Sequence, residues 1–161
     1  MKAKHSLEVL GLFRMIFRSS SKHSEDIEKS VGVSGTQLWA LAEIKEVANI
    51  TVNNLAKTMA LHQSTISNLI DKMERKDLIQ RVRSTEDKRV VYLSLTTAGE
   101  TMLQKAPSPV KGILVDALAR MSDDDLTQLQ RNLTHLITSL GTSVSAQAAK
   151  EPLGASFNIE K

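Results

Sequence analysis

Apolar residues recur at spacings of three and four through most of the chain, and that period predicts helices. Near the N-terminus Leu7, Leu10, Phe13 and Phe17 share one helical face, with Val9, Leu12 and Ile16 on the face beside it. The combined arc is wider than the single stripe a surface helix needs, which predicts burial on two sides, as at a dimer interface. After Gly32, Ser34-Gly35-Thr36-Gln37 holds both partners of a capping box. A second helix is expected to start there, with Leu38, Leu41, Ile44 and Val47 turned inward, and to end near Asn49 before the extended pair Ile50-Thr51.

Two short helical patterns follow, Val52 to Met59 and Gln63 to Lys76, separated by the few residues around Ala60-Leu61-His62. This is the spacing of a helix-turn-helix. In the second pattern Ile66, Leu69, Ile70 and Met73 gather on one face, while Ser64, Asn68, Asp71 and Arg75 lie opposite, with Ser67 and Lys72 on the shoulders. One face is suited to packing and the other to reading a partner; Asp71 is expected to pair with Arg75 one turn on. From Leu78 to Arg83 and from Arg89 to Leu95 partial alternation of Val, Ile, Leu, Tyr and Arg predicts a β-hairpin. Its polar tip, Ser84 to Lys88, lacks an Asn-Gly or Gly-Gly pair, so a longer loop is expected.

Thr96 or Thr97 caps the next helix, the second choice gaining Glu100 as a partner, and Pro107 and Pro109 should kink or break that helix before the pattern resumes from Val110 to Met121. Ser122 and Asp123-Asp124-Asp125 open a last helix whose Leu126, Leu129, Leu133, Leu136 and Leu140 form a seam that calls for a partner helix. After Gly141 periodicity stops, so 141–161 reads as a flexible tail. The predicted fold is mainly α with a small β-hairpin wing. A winged helix-turn-helix, 34–96, is inserted between terminal dimerisation helices, 1–33 and 97–140.

Composition narrows the functional classes. With 41% hydrophobic and 24% charged residues the chain is ordinary globular material. It has no cysteine, which removes disulfides, cysteine-based zinc sites, thiol nucleophiles and thiol redox sensing. The apolar stretch Leu7 to Ile16 is interrupted by Glu8 and Arg14 and is too short to span a bilayer, so no membrane association and a cytoplasmic location are expected. Gly32-Val33-Ser34-Gly35-Thr36 lacks the second glycine of a nucleophile elbow, and there is no glycine-rich phosphate loop. His5, His23, His62 and His135 have no metal-ligand spacing. An enzyme, a cofactor and a metal are therefore not expected. The net charge of +3 is small, but residues 81–93 set Arg81, Arg83, Lys88 and Arg89 against only Glu86 and Asp87.

Four blocks carry a family resemblance: Gln63-Ser64-Thr65-Ile66-Ser67-Asn68-Leu69-Ile70-Asp71-Lys72-Met73-Glu74, Leu78-Ile79-Gln80-Arg81, Asp87-Lys88-Arg89 and Leu93-Ser94-Leu95-Thr96-Thr97-Ala98-Gly99. With the order of elements, they make the chain resemble the MarR family over about residues 1–140. The resemblance implies a triangular homodimer that binds double-stranded DNA at a pseudo-palindromic operator, one helix of each lobe entering the major groove and the wing following the minor groove. Repression is the commoner behaviour in the family.

Ser64, Thr65, Ser67 and Asn68 would then meet base edges, Gln63 a base or a phosphate, and Lys72, Arg81, Arg83 and Lys88 phosphates. Ser64 or Thr65 also suits a plain helix cap. Arg89 matches the family's wing arginine, with Asp87 to orient it. The resemblance further implies a small aromatic or otherwise anionic effector, such as an aromatic carboxylate, between the dimerisation helices and the winged helix, where His5, Phe13, Arg14, Phe17 and Trp39 offer an apolar slot with cationic groups. The same aromatics suit a plain core. Asp77 departs from the pattern, standing where many members have glycine. The competing readings are a winged helix that binds only protein, which has no need of the polar helix face and basic wing, and a small dimeric enzyme.

Overall fold

The computed structural model describes residues 2–141 and 145–153. Helix α1 (Lys2–Val31) runs unbroken for thirty residues. It ends where Gly32 adopts a φ of 73°, its amide donating to Glu28 O at 2.9 Å, a left-handed cap in which a Cβ would be strained. Helix α2 (Gly35–Glu46) starts at the predicted capping box. Ser34 Oγ accepts from Gln37 N at 3.2 Å and Gln37 Oε1 accepts from Ser34 N at 3.0 Å. Leu38, Leu41 and Ile44 are buried, but Val47 is 42% exposed. The correction has a local cause: the helix stops at Glu46 and Val47 is its extended C-cap, so the helical period no longer sets its direction.

Helices α3 (Val52–Thr58) and α4 (Gln63–Arg75) form the helix-turn-helix, with Ala60 turning the chain at a φ of 53°. Strands β1 (Ile79–Arg83) and β2 (Val91–Leu95) pair antiparallel, Ile79 opposite Leu95 and Arg83 opposite Val91. Ile50 O accepts from Leu93 N at 2.8 Å, which ties the extended residue after α2 to the hairpin. Helix α5 (Thr97–Lys105) is capped by Thr96, whose Oγ1 accepts from Gly99 N at 3.1 Å. The proline pair breaks the chain through 106–112, and the helix that resumes, α6 (Ile113–Ala119), has only seven residues. Helix α7 (Asp123–Ser139) opens on Ser122, whose Oγ accepts from Asp125 N at 3.1 Å.

The tail expected to lack regular structure does form a 3₁₀ turn at Ala146–Lys150, stabilised by Ser145 Oγ, which accepts from Gln147 N, and by a bond from His62 N to Lys150 O. Residues 142–144 and 154–161 of that tail lie outside the described residues.

The core gathers in the winged helix. Ile27 of α1 belongs to one buried cluster with Leu38, Leu41, Ile44, Leu55, Ile66, Ile70, Met73, Ile79 and Leu93. Helices α6 and α7 bury no residue, and Leu7 and Met15 of α1 are each 67% exposed. The connection between α5 and α6 is pinned to α2 by charge. Lys111 Nζ lies 2.9 Å from Glu43 Oε1 and 2.7 Å from Glu46 Oε2, and Glu43 Oε1 also accepts from Trp39 Nε1 at 2.8 Å. Burial acts to lower the Lys111 pKa, but the hydrogen bonds to Glu46 and Glu43 outweigh it and hold the ammonium above the usual lysine range. The same connection meets α1 through His23 Nε2, 3.0 Å from Pro109 O.

Candidate nucleic-acid interface

Helix α4 sorts its residues by period. Ile66, Ile70 and Met73 are fully buried, while Gln63, Ser64, Asn68, Lys72 and Arg75 are exposed and Thr65 and Ser67 half-buried. Its N-cap is His62, which makes no side-chain capping bond; Ser64 and Thr65 stand inside the helix rather than capping it. Helices α2, α3, α5 and α7 instead have hydroxyl caps from Ser34, Thr51, Thr96 and Ser122. Without a side-chain cap, the first main-chain N–H groups and the positive end of the helix dipole are left to a partner from elsewhere, an arrangement that favours an anion.

At the other end of α4, Lys72, Arg75 and Lys76 line an open cleft of about 450 Å³ with Ser34, Gln37 and Leu69. Among the described residues neither Lys72 nor Arg75 forms an ion pair, and Lys76 Nζ donates only to Gly32 O, at 3.2 Å. Arg75 and Lys76 were not among the residues assigned to DNA from sequence. Their spacing of three and four from Lys72 put all three cations on one face, but that the start of α2 closes the cleft follows only from the fold.

The wing tip is organised around two short side chains. Ser84, 9% exposed, accepts through Oγ from Glu86 N at 3.2 Å and Asp87 N at 3.3 Å. Asp87 Oδ1 accepts from Arg89 N at 3.0 Å and Nε at 3.2 Å, and Asp87 Oδ2 from Arg89 Nη2 at 3.4 Å. The bond from the Arg89 amide, followed by those from its guanidinium, holds the Asp87 carboxyl below the usual aspartate range. The Arg89 side chain is 91% exposed, so it is aimed by Asp87 without being packed. Arg83 and Lys88 are exposed and form no ion pair among the described residues.

Arg81 behaves differently, and the Asp71–Arg75 pair is corrected with it. Two residues after buried Ile79, Arg81 points to the same side of the strand, toward α4. There Asp71 Oδ1 lies 2.6 Å from its Nη2 and Glu74 Oε2 contacts its Nη1. The hydrogen bond to Asp71 leads the effects that raise its pKa. Arg81 is thus a strand-to-helix brace whose charge is met by two carboxylates.

Of the residues expected to form a slot, Phe13 and Phe17 stack with ring centroids 6.3 Å apart. Trp39 packs against the core and commits its N–H to Glu43. Arg14 is exposed, and His5 lies about 18 Å along α1 from Phe17 at ~1.5 Å per residue, so the single chain does not bring all five together. Among the described residues no helix is long and apolar enough to cross a membrane, and no group of three acidic, histidine or cysteine side chains is placed to hold a metal.

Residues 33–91 match the sequence profile of the MarR family. The chain is 32% identical over 104 residues to the HTH-type transcriptional repressor MdtR of Bacillus subtilis, covering 65% of this chain and 66% of that one. It is 30% identical over 123 residues to the organic hydroperoxide resistance transcriptional regulator of the same organism, covering 76% and 82%. Among solved structures, the Staphylococcus aureus MepR–DNA complex superposes with a TM-score of 0.58 at 27% identity, over 80% of this chain and 94% of that one. These relatives are regulators of transcription and not enzymes.

Proposed function

The chain belongs to the MarR family of winged-helix transcriptional regulators, and from that premise we infer that it is a cytoplasmic repressor that binds a pseudo-palindromic operator as a homodimer. The observation that carries the reading is α4: it buries three apolar side chains and leaves a polar, cationic face to solvent. Ser64, Thr65, Ser67 and Asn68 are assigned to base edges in the major groove, and Gln63 to a base or phosphate. Lys72, Arg75, Lys76, Arg83 and Lys88 are assigned to phosphates, and Arg89 to the minor groove. Arg81 is left out of this set because Asp71 and Glu74 already meet its charge.

The dimer is supported by apolar surface that nothing among the described residues covers. Leu7 and Met15 of α1 and Leu136 and Ile137 of α7 are all more than 40% exposed, and α7 buries nothing. Two copies related by a twofold axis cover such surface with each other. Half-sites about 34–36 Å apart then follow from one turn of B-DNA. An aromatic carboxylate effector fits best beside the stacked Phe13 and Phe17, with Arg14 to meet its charge.

A mobility-shift titration on genomic fragments tests the central claim. Binding of selected fragments at about 10⁻⁸ M or tighter is expected. Failure to bind any DNA below about 10⁻⁶ M overturns it in favour of a module that binds protein. Sedimentation tests the dimer, which a concentration-independent monomer of full helicity overturns. For the effector, benzoates and pyridine carboxylates at millimolar concentration should release DNA; a panel that does not removes the effector.

A further inference from the structure

The chain's own C-terminal segment lies against the start of the helix assigned to the major groove. Ser145 caps the 3₁₀ turn Ala146–Lys150, and the Lys150 carbonyl accepts from the amide of His62, the N-cap of α4, at 3.1 Å. Ala149 and Lys150 form one wall of an open cleft of about 670 Å³, whose other walls include Lys57 of α3, Ala60 of the turn and Gln63, the first residue of α4. The contact joins residues far apart in the chain and takes up one main-chain amide at the uncapped end of α4.

We propose that this segment is an internal competitor of DNA: the 3₁₀ turn and an operator occupy the same surface at the N-terminal end of α4, so the docked tail lowers operator affinity. The proposal rests on the reading of α4 as the helix that enters the major groove. A main-chain amide at a helix start is a natural partner for a phosphate oxygen, and here a peptide carbonyl stands at the His62 amide instead. Three alanines in the turn, Ala146, Ala148 and Ala149, let its backbone come close. Lys57 and Lys150 both line the cleft and form no ion pair among the described residues, so docking brings two cations to one place and charge does not hold it. Being tethered, a weak contact suffices, because the segment acts at high effective concentration. Apparent affinity falls by the undocked fraction, so a tail docked in about nine molecules of ten weakens binding about tenfold.

Truncation is a clean test because residues 142–161 carry Lys150 and Lys161 against Glu151 and Glu160, leaving the net charge unchanged. A chain ending at Gly141 should bind an operator selected by the full chain about three- to tenfold tighter, with unchanged helicity and dimer mass. Equal or weaker binding overturns the proposal. Ala60 and Ala149 line the same cleft and the full chain has no cysteine, so Ala60→Cys with Ala149→Cys tests whether the two segments meet in solution. On oxidation a bridge should form within one chain, cost at least about tenfold in operator affinity, and release on reduction. No bridge, a bridge only between subunits, or a bridged form that binds as well as the reduced one each overturns the proposal. If neither truncated nor full chain binds DNA while the bridge forms in high yield, the docking stands but the DNA reading fails, and competition fails with it.

Discussion

Gly99 lies so close to the main chain of Leu78 that a Cβ built on it would stand 2.0 Å from the Leu78 carbonyl oxygen. That carbonyl also accepts from Thr96 N at 3.1 Å, so the end of the recognition segment and the start of α5 are bonded main chain to main chain. The contact joins the winged helix to the C-terminal helices at a point where neither side is a flexible side chain.

Gly99→Ala should therefore destabilise the fold by about 2 kcal/mol or more, the upper part of the overpacking range, since backbone must move on one side. Urea unfolding followed by circular dichroism measures it. A loss below about 0.5 kcal/mol would show that α5 slides away at little cost.

Asp77 closes the turn after α4 with a φ of 56°, a conformation that costs an L-residue more than glycine. Asp77→Gly should raise stability by about 0.5–1 kcal/mol and the melting temperature by about 1–4 °C. Asp77→Ala, which keeps the Cβ and loses the short polar side chain, should move the other way. Calorimetry on the three proteins at one concentration decides it.

Lys111→Met removes the cation that faces Glu43 and Glu46, and leaves a nearly buried carboxylate bonded to Trp39 alone. The loss should fall between that of exposed pairs and that of fully buried ones, about 1–2 kcal/mol near neutral pH. The Lys111 pKa is raised in the folded chain, so this stabilisation is complete below the ordinary lysine value of about 10.4 and fades as pH rises through the higher folded value. Denaturation of wild type and variant from pH 7 upward should show two curves that converge only at the alkaline end; a constant gap across that range contradicts the charge assignment.

Arg89→Ala should weaken operator binding by about 1–3 kcal/mol and reduce the salt slope, with no change in stability, because its side chain is almost wholly exposed. Arg81→Ala is expected to lose stability before it loses DNA contacts, since it braces β1 to α4. Anisotropy titrations at several salt concentrations, paired with melting curves, separate the two arginines. Equal behaviour of both would remove the distinction drawn between brace and wing.

The pH range of the wing follows from Asp87. Its pKa is depressed by the Arg89 amide and guanidinium, so the wing-tip bonds are complete above the ordinary aspartate value of about 3.9 and fade as pH falls through the lower folded value. Asp87→Asn should leave the Arg89 amide bonded but reduce the aim of its guanidinium, and so lower operator affinity at neutral pH. The protection of the Arg89 amide relative to a free amide should stay constant from about pH 7 to 4 in the wild type; a loss of protection near pH 5 contradicts the depressed pKa.

Elements whose cause is local were legible in the chain itself. The capping box at Ser34, the split of α4 into a buried and an exposed face, the helix-turn-helix spacing, the hairpin and the proline break are each decided within a few residues, by main-chain hydrogen bonding and by period. The aiming of Arg89 by Asp87 belongs with them, since the two are neighbours but one. What the fold alone decided are meetings between distant segments. Val47 left the core because α2 ended one residue before it, and Thr96 rather than Thr97 became the cap because its hydroxyl reaches both Gly99 N and Asp77 O. Asp71 chose Arg81 over Arg75 because strand alternation brought that guanidinium over α4. Lys111 met Glu43, and Lys150 met His62, only because three-dimensional packing laid the α5–α6 connection and the tail against elements far upstream. Sequence period fixes which way a side chain points on its own element; which other element stands there depends on how the whole chain closes.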